Sequence, residues 1–367
     1  MNNSTSRIPI QLLGQSGCRL DFSDCTIYID PYLSNSVQEL DASDLERLIP
    51  IPFMPESVTD ADWVLITHEH IDHCDPYTIP QIAKSSPQAK FVCPQPVANL
   101  LEKWGIEKNR IFIASETWSE LNPDLRLLAT PAAHSKIVRN TTGQLLCVGF
   151  IIEAFGQRIY FAGDTCVQQE IIDVLVENAP IHTAFLPVNE QNFFRHRRNI
   201  IGNMSVREAF QFAEEIGVKQ VVAVHWDMFA VNAVDPDEIH LIYKVMNPNF
   251  MLLLNPVSIN LSPVKVSVVI RTLNEAVHLD ELLQSIENQN TNGLTHEVIL
   301  VDSGSADGTL EIAIRNNCHI YHIGRDEFSF GRSLNMGCEA AGGDILVITS
   351  GHCVPTDEHW LQRLCQP

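Results

Sequence analysis

Between Ile66 and Cys74 the chain reads Thr67-His68-Glu69-His70-Ile71-Asp72-His73, three imidazoles and two carboxylates packed into seven positions. Neutral imidazole and ionised carboxylate are the ligands that borderline divalent ions prefer, and on an extended loop neighbouring residues can face two adjacent metal positions. The chemistry this composition offers is the binding of divalent metal ions. A histidine-rich surface loop without a ligand is the competing reading, and what lies downstream weighs against it. His134 comes just after Leu125-Arg126-Leu127-Leu128-Ala129, Asp164 after Arg158-Ile159-Tyr160-Phe161-Ala162, and His225 after Gln220-Val221-Val222-Ala223-Val224. A single histidine behind an apolar run is usually a surface or core residue. Four such placements in one chain accumulate against coincidence.

These side chains need strands to deliver them. Trp63-Val64-Leu65-Ile66 reads as a short buried strand, so the first cluster falls on the loop that leaves its end. Upstream, Ile8 to Gly14 and Thr26 to Pro31 are strand-like runs separated by turn residues, which suggests hairpins. Ser34 to Thr59 carries few strand signals and reads as an insertion loop near the site. Helices are expected over about Pro76 to Lys84 and Pro96 to Trp104, the second ended by Gly105. Ser205 and Glu208 form an S-x-x-E capping box that starts a helix ending near Gly217.

With 367 residues, 45% of them hydrophobic and 19% charged, the chain is long enough for two or three globular domains. The net charge of -21 argues against nucleic acid and anionic membranes as partners, because phosphate binding needs a surplus of Lys and Arg. Met1 to Ser6 lacks the features of a signal peptide, and no apolar run approaches the ~18 residues of a membrane span. A cytoplasmic location is expected. The 10 cysteines show no C-x-x-C pair and read as reduced packing residues. Cys74 and Cys166 stand out only because each lies within two residues of a candidate ligand.

The order H-x-H-x-D-H, His134, G-D-T with Asp164, and His225 resembles the metallo-β-lactamase superfamily over about residues 7 to 260. The resemblance implies a four-layer αββα sandwich with one or two divalent ions, zinc or manganese, at one edge of its two sheets. It puts His68, His70 and His134 on the first ion, Asp72, His73 and His225 on the second, and Asp164 between them. A divalent ion lowers the pKa of bound water from about 15.7 to about 7, and two ions about 3.5 to 4 Å apart can hold the resulting hydroxide. The residue matching Asp72 also takes part in proton transfer in this superfamily. Asn189-Glu190-Gln191-Asn192, Asn203-Met204-Ser205 and His225-Trp226-Asp227-Met228-Phe229 are most similar to the L-ascorbate-6-phosphate lactonase group, which implies a lactone or phosphoester substrate. Asn189 and Glu190 are then candidate substrate residues. Arg195, Arg197 and Arg198 form the main basic cluster of an acidic chain, and their guanidinium forks suit an anionic, sugar-derived substrate. A solvated loop with incidental charge is the alternative for them.

After Ser262-Pro263 the pattern changes to strand, helix, strand, helix, the start of a parallel α/β sheet. The boundary expected from this change separates residues 1–262 from 263–367. Asp302-Ser303-Gly304-Ser305-Ala306-Asp307-Gly308-Thr309 lies at a strand end, where such sheets bind nucleotides. This part resembles the nucleotide-binding half of family 2 glycosyltransferases, a partial GT-A-type, Rossmann-like domain. The resemblance implies that Thr272, Glu275, Asp302, Asp307, Arg332 and Asn335 line a nucleotide-sugar. His352 stands where that family carries a metal-binding aspartate, and imidazole replaces a carboxylate poorly on hard ions. The family's acceptor half would follow Pro367, so a truncated or partner-completed domain is expected. Two functions follow: a metal-dependent hydrolase centred on residues 1–262, or a nucleotide-sugar-binding glycosyltransferase with an accessory metallohydrolase domain in polysaccharide or glycoconjugate synthesis. The complete ligand set favours the first. Oligomerisation is compatible with either.

Overall fold

The computed structural model describes residues 7–22, 24–197, 201–261, 265–289, 295–343, 345–358 and 360–365. The chain divides into two compact units, Met1–Leu261 and Ser262–Pro367.

The first unit contains two seven-stranded sheets. Strands β1 (Arg7–Gly14), β2 (Gly17–Phe22) and β3 (Cys25–Ile29) form an antiparallel meander that continues into parallel β4 (Trp63–Leu65), β5 (Lys90–Cys93) and β6 (Ile111–Ile113). The second sheet repeats the plan: β7 (Ser119–Asn122), β8 (Leu125–Pro131), β9 (Val148–Ala154) and β10 (Gln157–Phe161) are antiparallel, then β11 (Thr183–Pro187), β12 (Gln220–Val224) and β13 (Met251–Leu253) run parallel. Strand β14 (Ser258–Asn260) returns to pair with β1 in the first sheet.

Alternation along the strands sorts side chains between two cores. Ile27 and Ile29 face inward with Ile159, Phe161, Phe150 and Val222 in the layer between the sheets. Tyr28 and Tyr160, one position away, face outward. Tyr28 packs with residues of helices α1 (Ile79–Ser85) and α2 (Gln95–Lys103), and Tyr160 with α3 (Gln169–Glu177), the short α4 (Phe193–His196) being left out of this packing, and with α5 (Val206–Glu215) and α6 (Pro236–Met246). The result is the expected αββα sandwich. Because both faces are covered, the strands read as near-continuous apolar runs. The capping box forms: Ser205 accepts from the Glu208 amide, and the Glu208 carboxylate accepts from the Ser205 amide. Val206, Ala209, Phe210 and Ala213 then follow at helical spacing on the buried face.

Some boundaries differ from expectation. Gly17 to Phe22 is a strand in its own right and not a turn, since Cys18 and Leu20 alternate into the inter-sheet core although Arg19 and Asp21 break the apolar pattern. Residues 34–59 contain only one turn of π-helix (Val37–Asp41) and one of 3-10 helix (Pro55–Ser57). Arg47 anchors this segment by donating to the carbonyls of Tyr32 and Ser34 at 3.0 and 3.2 Å.

The second unit is a four-stranded parallel sheet in the order β17-β16-β15-β18, with β15 (Lys265–Thr272), β16 (Thr295–Asp302), β17 (His319–His322) and β18 (Ile345–Ser350). Helices α7 (Ala276–Glu287), α8 (Thr309–Arg315) and α9 (Phe330–Ala340) connect the strands, and α10 (Trp360–Cys365) follows. Leu279, Leu282, Leu283 and Ile286 of α7 bury against Val266, Val268 and Ile270. Strand β18 lies at the sheet edge with Leu346 and Ile348 exposed. Among the described residues no helix is long and apolar enough to cross a membrane.

Candidate metal centre

All seven candidate ligands of the first unit converge where the parallel strands end. His68, His70, Asp72 and His73 lie on the loop leaving β4, which turns back tightly as the amides of His73 and Cys74 both donate to the His70 carbonyl. His134 follows β8, Asp164 lies three residues past β10, and His225 is the first residue after β12. Their donor atoms form three groups, each within 4.8 Å: His68, His70 and His134; His68, His73 and Asp164; and Asp72, His73 and His225. Asp164 is thus grouped with one histidine from each of the other two sets.

Local backbone geometry sets these directions. Gly163 has φ +61, and a Cβ there would lie 2.9 Å from the Thr67 side chain, so only glycine lets Asp164 turn in beside the first loop. His225 itself adopts φ 60, and its amide donates to the Gln15 carbonyl at 2.9 Å.

Two residues that sequence reasoning passed over complete the arrangement. Buried Asp30 accepts from the Thr67 amide at 2.8 Å, from the Thr67 hydroxyl at 2.6 Å and from His73 Nδ1 at 2.7 Å. The Thr67 hydroxyl spends its proton on Asp30, so at 3.0 Å from His68 Nδ1 it must accept from that nitrogen. The Nε2 lone pairs of His68 and His73 are thereby turned to the centre. Gln15 Nε2 donates to Asp72 Oδ2 at 2.7 Å and lies 3.3 Å from His225 Nε2. The run Ile29-Asp30-Pro31 at a strand end was a usable signal for Asp30. Gln15 sits in an ordinary-looking turn and gave none.

A test of fit comes from atoms without partners. His68 Nε2 is buried with no hydrogen-bond partner, which is costly unless something else occupies its lone pair, while His73 Nε2 and Asp164 Oδ1 meet as a buried ion pair at 3.3 Å. Divalent cations satisfy such a donor set. The electrostatics agree. Burial lowers the pKa of His68 and of His134, keeping both neutral. Burial would also lower His225 and His73, but Asp164 and Asp72 outweigh it, pushing His225 up to about 9 and His73 well above its usual value with help from Asp30. The same pairing overcomes burial and holds Asp72 and Asp164 well below the usual carboxylate range. Two imidazoliums and two carboxylates thus offset one another at the centre, and cations would take the place of the two imidazolium protons.

The centre opens into a cleft of about 480 Å³. Val37, Leu40, Asp41 and Leu45 from the expected insertion segment form one wall, so that segment does border the site. The proposed substrate residues are elsewhere. Asn189 is buried and accepts from Asn203 Nδ2 at 2.9 Å, and Glu190 accepts from Asn192 Nδ2 at 3.2 Å, so both tie the chain together locally. Arg195 spends its guanidinium on the carbonyls of Val231 and Glu190, and it lines a separate 330 Å³ pocket. Exposed Arg197 lies over the Phe193 ring. None of these four lines the metal cleft. A loop's position along the chain did not reveal that nearby carbonyls would absorb its charge. Arg198 lies outside the described residues. Cys74 is a buried core residue, and Cys166 Sγ accepts from Gln191 Nε2 at 3.0 Å, as packing residues would.

In the second unit Thr272 and Asp302 are register partners on β15 and β16, joined by a 2.9 Å hydrogen bond. Asp302 also accepts from the amides of Gly304 and Ser305 and from the Ser305 hydroxyl, and these bonds outweigh burial to lower its pKa. Asp307 accepts from the Ala276 amide and from Thr309, fastening the start of α7 to that of α8. Glu275 accepts from His352 at 3.0 Å. Arg332 and Asn335 are exposed on α9.

Fold and strand-end histidine cluster together define a sandwich of the metallo-β-lactamase class. The family model described as the beta-lactamase superfamily domain matches residues 26–226, and the chain belongs to that superfamily. Residues 267–367 match the model of glycosyl transferase family 2, so the second unit is a domain of that type. An uncharacterized protein of Mycobacterium bovis is 26% identical over 227 residues, 61% of this chain and 60% of the relative's length. A UPF0173 metal-dependent hydrolase of Alkaliphilus metalliredigens is 28% identical over 217 residues, covering 56% of this chain and 88% of the relative. Among solved structures, a possible metal-dependent hydrolase of Veillonella parvula superposes with a TM-score of 0.55 at 17% identity, covering 70% of this chain and 99% of that one.

Proposed function

We propose that the first unit is a metal-dependent hydrolase that cleaves a small lactone, ester or phosphoester with a hydroxide activated by one or two divalent ions, zinc or manganese. The observation that carries this reading is the set of three overlapping ligand groups, in which buried His68 Nε2 has no partner of its own and His73 and Asp164 face one another at 3.3 Å. His68, His70 and His134 would hold one ion, Asp72, His73 and His225 the other, and Asp164 would join them. Such ions supply a nucleophile at neutral pH and polarise the oxygen under attack. The chain supplies the rest. Asp30 and Thr67 fix the imidazole tautomers, Gln15 orients Asp72, and Asp72 is placed to carry a proton between nucleophile and leaving group. A cytoplasmic setting suits the nine described cysteines, all of them free.

Metal analysis of the purified chain, with a screen of sugar lactones, carboxylic esters and phosphoesters, tests the proposal. Asp164→Ala is expected to lose at least one ion and all measurable turnover. Unchanged metal content and rate in that variant would remove Asp164 from the centre and sink the assignment. For the second unit we propose nucleotide binding, supported by Thr272, Asp302 and Glu275 at adjoining strand ends.

A further inference from the structure

The walls of the metal cleft have a composition that the hydrolase reading does not require. Beyond the candidate ligands, the lining is mainly Val37, Leu40, Leu45, Ile71, Ile201 and Phe229. Leu40 and Ile201 are 55% and 41% exposed, so apolar surface stands at the cleft wall with nothing of the first unit covering it. Ligand pockets are typically apolar with a few placed polar groups. The polar groups here are Asn232, an amide able to donate to a carbonyl oxygen, and two carboxylates outside the ligand set, Asp41 and Glu69.

Charge separates the substrate classes. Two divalent ions would bring four positive charges, and the carboxylates of Asp72, Asp164, Asp41 and Glu69 with one hydroxide more than cancel them. Among the described residues no Lys or Arg lines the cleft, and Arg195 and Arg197 are turned to carbonyls and an aromatic ring. An incoming phosphate or carboxylate would meet acidic walls with no Lys or Arg among the described lining residues, which slows its encounter and weakens its binding. An uncharged substrate with an apolar arm meets neither penalty, and its arm covers Leu40 and Ile201.

We infer that this cleft takes an uncharged carbonyl substrate, an ester or lactone carrying an aliphatic chain that lies against Leu40, Leu45 and Ile201. The inference rests on the hydrolase reading above and narrows its substrate to one class. Hydroxide adds to the carbonyl carbon, the bond from that carbon to the alkoxide oxygen breaks, and the alkoxide takes up the proton that the water lost. The products are a carboxylic acid and an alcohol, or one hydroxy acid from a lactone.

Ligand-observed NMR on the metal-loaded full chain tests the cleft directly, using methyl hexanoate, methyl acetate and phenyl phosphate as probes. Methyl hexanoate is expected to bind about tenfold more tightly than methyl acetate, because about two of its extra methylenes leave water. It should also bind more tightly than phenyl phosphate. Leu40→Asp and Ile201→Asp, both at exposed positions, should each weaken hexanoate about fivefold without changing metal content or circular dichroism. Tighter binding of phenyl phosphate, or hexanoate binding that ignores both substitutions, would overturn the inference. Turnover keeps the two readings apart. Hexanoate bound at this wall while no ester and no phosphoester is cleaved would leave the cleft assignment standing and defeat the hydrolase reading. Cleavage of phosphoesters alone would do the reverse.

Discussion

Loading the metal-free protein with divalent ions should expel protons from one half of the centre and not from the other. His68 and His134 are held neutral by burial, so their lone pairs are already free. His225 is pushed up to about 9 by Asp164 and Asp72 against the effect of burial, and His73 is raised as well. Each must lose a proton before it can bind a cation. At pH 7, two units below 9, stripping His225 costs about 2.7 kcal/mol, or roughly a hundredfold in apparent affinity. Calorimetric titration at pH 7 in buffers of different ionisation enthalpy counts the protons. An ion at Asp72, His73 and His225 should release about two from imidazole, and its affinity should climb as pH rises from 6.5 through 9, where His225 titrates. His225→Asn should release about one proton fewer than the wild type, which separates imidazole from any proton given up by water. Buffer-independent heats and an affinity flat across that range would refute the charge assignment and the pairing of both histidines with Asp164.

Three other outcomes are expected. Asp30→Asn deprives His73 Nδ1 of its acceptor and should lower metal affinity by roughly 10 to 100-fold, read by competition with a chelating dye; unchanged affinity would make Asp30 merely structural. Because the folded His225 titrates near 9 and an unfolded imidazole near 6.5, its stabilising contribution is complete below pH 6.5 and disappears as pH rises through 9. Urea unfolding in chelator should therefore show a loss on the order of 3 kcal/mol over that window from His225, and a smaller loss in His225→Asn, where only His73 remains raised. In the second unit, uridine or guanosine diphosphate should bind without sugar transfer, since His352 is paired with Glu275 where the family carries a metal carboxylate; transfer in a radiolabelled assay would reverse that ranking.

Much of the centre was legible because ligands at strand ends leave a local signature, an apolar run followed at once by His or Asp. His68, His134, Asp164 and His225 all obey it, and so does the sandwich they imply. Residues whose role depends on what approaches from elsewhere left no such mark. Gln15 matters because the β4 loop and the end of β12 both come to it, and no spacing within Gly14-Gln15-Ser16-Gly17 announces that. Arg195 shows the complementary case. Its charge suggested an anion, but the carbonyls of Val231 and Glu190 reach it first. Strand β2 was hidden by Arg19 and Asp21, which pair with one another on the face away from the inter-sheet core.

Each of the three ligand groups takes two members from the loop of the first sheet and one from a strand end of the second. Neither sheet, however well formed, owns a complete set. An intermediate in which one half of the sandwich has collapsed and the other has not would offer each ion position at most two of its three ligands, and cations in the surrounding water would bind it weakly. On the proposed assignment, docking of the sheets would create the affinity, and ion capture would register the end of folding as a latch registers a closed door. A newly made chain gains its reactive centre only after the core that must shield it has already formed.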